Sequence, residues 1–226
     1  MHTVHSTCLE RLTPQDFLFI ETVFSGNAGT TRSPGLEAFF EERNSLLAIL
    51  EEDKLFQAII EMPYPLGVSA ELYFFVLVRR SLTEAGIDEW RIADYVAATL
   101  ALHATGNPMS GAFPDRPDVD FTYQMDFLEA MEGLSAYDRF FLQVQCGNQF
   151  LVLTGLFPKF LEIRASRRGA PGLRYYESVA RQAYLSAGEH PLADEFDLRR
   201  LYPQLADCFN ETRQALNRMA DDYLFL

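Results

Sequence analysis

The sequence predicts an all-α protein, a multi-helix, bundle-like globular domain of about nine helices. Three observations carry that expectation. Apolar residues recur at helical spacing along most of the chain, Ser, Thr and Asp stand where those runs begin, and Pro or Gly stand where they end. No stretch alternates apolar and polar residues as a half-buried strand would.

The elements follow in order. Thr13-Pro14 is a cap followed by a first-turn proline and opens a helix to about Phe24. After the Gly/Asn/Thr loop of residues 26–33, Pro34 opens a second helix running to about Glu52. Residues 53–61 add a further turn or two, stopped by Pro63 and Pro65. Ser69 caps the next helix, whose run Leu72-Tyr73-Phe74-Phe75-Val76-Leu77-Val78 is apolar all round and must be surrounded by protein. That run could also be a strand, but the residues on either side of it favour helix. Gly86 ends it, and Asp88 is expected to cap the following helix, with Ile87 and Ile92 as a hydrophobic staple.

Residues 104–119 hold three prolines and two glycines without periodicity. A connection of that length reads as a linker between two helical halves of one domain spanning 1–226, with a lid as the alternative. Beyond it, Asp120 caps a helix to about Glu132, and Ser135 caps a long helix ended by Pro158. A short helix to Arg168, a Gly-Ala-Pro-Gly break, a helix over residues 173–187 and a C-terminal helical segment complete the chain.

Composition limits the partners. The chain has 226 residues, 48% apolar and 23% charged, which excludes a disordered or disulfide-dense protein. Its net charge of −13 opposes binding to nucleic acid, whose phosphates need a cationic face, and to an anionic membrane surface. The apolar stretch from Phe140 to Phe160 contains Gln143, Gln145, Asn148 and Gln149, so a buried helix is expected there rather than a membrane span. Residues 1–20 lack the cationic start and apolar run of a secretory signal. The odd set Cys8, Cys146 and Cys208 has no metal-ligand spacing and reads as reduced thiols in a cytoplasmic protein.

Motifs that carry chemistry are scarce. The chain has no phosphate-cradling GxxxxGK[ST], no GxGxxG, no HExxH and no ExxH, and Gly67-Val68-Ser69-Ala70-Glu71 fails the last position of a nucleophile elbow. Asp115, Asp118 and Asp120 lack the spacing and glycine of a calcium loop. His103 reads as a satisfied histidine near a helix end. No catalytic residue, metal or cofactor is expected, and whether the protein is an enzyme stays open.

Three constellations remain. Within the long helix, Cys146, Gly147, Asn148, Thr154 and Gly155 form a seam of small and polar residues. It predicts close helix–helix approach or, alternatively, room for a ligand with Asn148 and Gln145 as polar anchors. Cys146 as a nucleophile is disfavoured, because burial would raise its pKa. The C-terminal segment places Leu198, Tyr202, Leu205, Phe209, Thr212, Leu216, Met219, Tyr223 and Leu226 three and four residues apart. This seam, continuous from Pro203, either docks within the chain or, through Leu205, Phe209, Leu216, Met219 and Tyr223, meets a second copy or another protein. Finally, Arg164, Arg167, Arg168, Arg174 and Arg181 face only Glu177 over residues 164–181, a local +4 in an acidic chain. They pair with carboxylates elsewhere or bind an anionic ligand, with Tyr175 and Tyr176 supplying aromatic surface. The expected function is contact with another protein or self-association. The alternative is binding of a small anionic molecule, or cofactor-independent catalysis, near the arginines or the Cys146–Asn148 seam.

Overall fold

Serine hydroxyls start two of the longest helices, at the positions their sequence context predicts. In the computed structural model, which describes residues 7–25, 43–62, 67–105 and 132–225, Ser69 Oγ accepts a hydrogen bond from the Leu72 N–H at 3.1 Å. Ser135 Oγ accepts one from the Asp138 N–H at 3.1 Å. Each satisfies a first-turn amide that has no carbonyl behind it.

The described residues are all-α and contain eleven α-helices and no strand. The helices are α1 (Pro14–Ser25), α2 (Arg43–Leu50), α3 (Asp53–Ile60), α4 (Ala70–Glu84), α5 (Trp90–Ala104), α6 (Ala136–Leu156), α7 (Pro158–Arg168), α8 (Leu173–Gly188), α9 (Pro191–Glu195), α10 (Leu201–Asp207) and α11 (Phe209–Met219). A 3-10 turn, Leu9–Arg11, precedes them and a π-turn, Ala220–Leu224, follows. The expected helix 120–132, the loop 106–119 and the start of the helix expected from Pro34 lie outside the described residues.

At the entry of α1, Thr13 N–H and Oγ1 donate to Asp16 Oδ2 at 2.7 and 2.8 Å, while Asp16 Oδ1 accepts the Ser69 N–H at 2.7 Å. One fully buried carboxylate thus joins the starts of α1 and α4. The apolar run 72–78 is helical, with all but Tyr73 buried.

Two boundaries differ from expectation. Glu89, not Asp88, caps α5, its carboxylate accepting the Arg91 N–H at 3.1 Å. Asp88 is occupied by Arg79 of α4, whose Nη1 donates to its carbonyl at 3.0 Å and whose Nη2 donates to its carboxylate at 2.7 Å. The C-terminal segment is also not one continuous helix. It breaks at Cys208 into α10 and α11, with Pro203 in the first turn of α10.

Helix α6 is central. It packs against α8, α11 and α5, while α4 packs on α5 and α11, and α10 lies on α8. One cluster of buried apolar side chains draws on helices before and after residues 106–131. The C-terminal seam belongs to it: Leu205, Phe209, Leu216 and Met219 are buried within their own chain. Tyr223 meets the ring of Phe56 edge-on at 5.5 Å. The four buried side chains are covered by α4, α6 and α8, which is the docking within the chain that the periodicity allowed as one of its two readings. No single described helix is long and apolar enough to cross a membrane, and α6 and α7 meet that test only together, across a 92° bend at Phe157.

Candidate functional site

The small seam of α6 is closed by neighbouring side chains. At Gly147 an added Cβ would come within 2.7 Å of the Tyr184 ring, and at Gly155 within 3.0 Å of Leu216. Asn148 Oδ1 accepts hydrogen bonds from the hydroxyls of Tyr95 at 2.7 Å and Tyr184 at 2.8 Å. The rings of Tyr95, Tyr184 and Tyr202 contact one another, with centroids 5.6–6.3 Å apart. The space that could have held a ligand is therefore filled by tyrosines, and Asn148 serves as their common acceptor. Burial pushes the Cys146 thiol up to about 12, which leaves it protonated near neutrality and unsuited to nucleophilic attack. His103 bonds the Thr99 carbonyl at 2.8 Å, and His190 caps α9 by accepting the Leu192 N–H at 3.2 Å.

The arginine island divides into two parts. A left-handed Gly169, at φ 61°, ends α7 and turns the chain toward α8. On α7, the Arg164 guanidinium lies 5.3 Å over the ring of Phe160, while Arg167 and Arg168 are exposed. On α8, Arg174 and Arg181 line a groove of about 710 Å³ against α11, which contributes Phe209, Asn210 and Arg213. Arg167 and Arg168 do not line it. Tyr175 is partly exposed and packs edge-on against the buried Tyr176 at 5.4 Å.

Within the groove, Arg213 Nε lies 2.6 Å from Glu177 Oε1, both side chains being mostly buried. Arg213 Nη2 donates to Asn210 Oδ1 at 3.0 Å. Arg181 Nε donates to the Ala206 carbonyl at 2.9 Å, in the last turn of α10. Sequence reasoning missed Arg213, which lies 32 positions beyond Arg181; only a helical-face alignment of α11 against α8 could have suggested it.

A second cleft, of about 270 Å³, lies where the N-terminal turn meets α5. Its lining includes Asp94, Glu10, Arg43, Arg91 and the chain's one tryptophan, Trp90. Asp94 Oδ1 accepts the N–H groups of Cys8 at 2.7 Å and Leu9 at 3.1 Å, anchoring the 3-10 turn on α5. Burial raises this carboxyl to about 6, against the opposing pull of those two amides. The Arg43 guanidinium stands 5.4 Å over Trp90. Arg91 Nη2 donates to the carbonyl and carboxylate of Asp197 at 2.5 and 2.7 Å, holding the one non-glycine residue at positive φ among those described. Nothing in the spacing of the sequence marks Asp94, because its partners are backbone amides 85 and 86 residues away.

Among the described residues no group of His, Cys, Asp and Glu is arranged to hold a metal ion. No family model, curated protein or solved structure matches the chain.

Proposed function

We propose that the protein works through contact, docking on a second copy of itself through α7 rather than through the C-terminal seam. The observation that supports this is the poor burial of that helix. Of its side chains only Leu161 is buried, while Phe160 and Ile163 are 47% and 50% exposed. Phe157, 42% exposed, precedes them on the same three-residue ridge, and its ring meets that of Phe225 at 5.7 Å. Four large apolar side chains exposed at one corner form the centre of a contact patch.

The surrounding charges favour a second copy as the occupant. Lys159, Arg164, Arg167 and Arg168 lie on the same helix as Glu162, and Lys159 reaches Asp221 of the C-terminal turn at 3.4 Å. A patch that carries both signs around an apolar centre supplies the cations and carboxylates that an isologous dimer sets against each other. Light scattering at tens of micromolar tests the reading. The expected mass is about twice the 25.8 kDa of the chain, and Phe160→Glu with Ile163→Glu is expected to give a folded monomer, because both side chains are already half in solvent. A monomeric wild-type protein at that concentration would exclude the contact.

A further inference from the structure

We infer that the groove between α8 and α11 is a binding site for a small molecule bearing a phosphate group. This stands apart from the contact proposed for α7, since neither set of residues includes the other.

The groove has the size of a small-molecule site, about 710 Å³. Its charged lining is Arg174, Arg181 and Arg213 against Glu177 alone, a surplus of two positive charges in a chain of −13. Glu177 is engaged by Arg213, so that carboxylate and that guanidinium neutralise each other in the wall. The surplus therefore sits on Arg174 and Arg181. Neither of these has an ion-pair partner among the described residues.

Arg181 is held in place without being neutralised. Its Nε is committed to the Ala206 carbonyl, a backbone acceptor with no net charge, which leaves both Nη groups for a ligand. Arg174 stands two helical turns before it on the same face, and Ser178 stands between them at the intervening turn. A phosphate monoester carries close to two negative charges at neutral pH and three acceptor oxygens, which matches two guanidiniums and a hydroxyl. Leu173, Leu185 and Phe209 offer apolar surface to the rest of such a molecule. The arginines of α7 cannot serve the same anion, because they do not reach the groove.

Thermal melts in inorganic phosphate and in phenyl phosphate, each compared with chloride at matched ionic strength, test the site. At a tenfold excess over the dissociation constant, the midpoint in either phosphate is expected to rise by about 3–6 °C over chloride. Arg174→Gln combined with Arg181→Gln is expected to abolish that rise, whereas Arg167→Gln combined with Arg168→Gln is expected to keep it. Should loss of the Ala206 contact unfold the first pair, Arg174→Gln alone, at an exposed position, is expected to remove most of the rise. Equal midpoints in phosphate and chloride would overturn the inference. So would a rise that survives in the groove variants, which would mark the anion effect as general screening or as a property of α7.

Discussion

Gly147 of α6 and Tyr184 of α8 are in contact so close that the ring occupies the place of a Cβ: one added at 147 would fall 2.7–2.9 Å from three ring carbons. The ring cannot retreat, because Tyr95, Tyr202 and Phe209 hold its other sides. Gly147→Ala gains about 1 kcal/mol of helix propensity but overpacks the helix pair at a cost of about 1–3 kcal/mol. A net loss of stability is expected. At Gly155 the nearest atoms are Leu216 Cδ1 and Cβ at 3.0 and 3.1 Å, so a shift of a few tenths of an ångström suffices. Gly155→Ala is expected to be near neutral. Urea midpoints of the two variants, measured side by side, check the order.

Asn148 is expected to matter for stability and not for ligand binding. Asn148→Leu removes the acceptor shared by two buried hydroxyls, each costing about 1–3 kcal/mol when left unsatisfied. A loss of about 2–4 kcal/mol is expected. Changing Tyr95 and Tyr184 to Phe in the same background should restore part of it, because the stranded donors are then gone. Additive losses across that cycle would show that the hydrogen bonds are not the cause.

The Asp94 carboxyl sits at about 6, above its ordinary value of 3.8. For an acid raised on folding, stability is fully present below the unfolded value and declines as pH rises through the folded one. Two units correspond to about 2–3 kcal/mol lost between pH 4 and 6 from this group. Asp94→Asn keeps an oxygen to accept the Cys8 and Leu9 amides and removes the titration. It is expected to raise the urea midpoint at pH 7 and to flatten the slope between pH 4 and 6. An unchanged slope would assign the titration to another group.

Leu216 and Met219 lie in the shared core. Changing both to Glu is expected to unfold the protein, since each introduces an unpaired charge where almost no solvent reaches. A folded monomer from this pair, seen by circular dichroism and light scattering, would mean that the seam faces outward after all.

Fold class was legible because the periodicity and the caps are local. Thr13, Ser69 and Ser135 each start a helix by bonding an amide within three residues, so the information lies side by side in the chain. Asp88 misled for the opposite reason: Arg79, nine residues away, captures it, and the cap passes to Glu89. The C-terminal periodicity marks one apolar face, but periodicity alone does not say what covers that face. The arginines stood out by charge, yet their division between α7 and the α8–α11 groove depends on the turn at Gly169 and on Arg213. Asp94 left no trace in the sequence, because a carboxylate that binds backbone amides requires no particular residue types opposite it.

The 92° turn at Phe157 has a consequence for the time scale on which different parts of the molecule open. Helix α6 can lose its amide protection only when the shared core comes apart, whereas α7 buries a single leucine and is otherwise held by its junctions with α6 and α8 and by surface contacts such as Lys159 with Asp221. Segments with so few apolar contacts open at a small fraction of the global unfolding free energy. In deuterium exchange, amides of residues 160–168 are therefore expected to label well before those of 140–155, by fluctuations that leave the rest of the helical array intact. Occupation of the exposed ridge by a second copy would slow that labelling in proportion to protein concentration, giving a residue-level record of when α7 is covered.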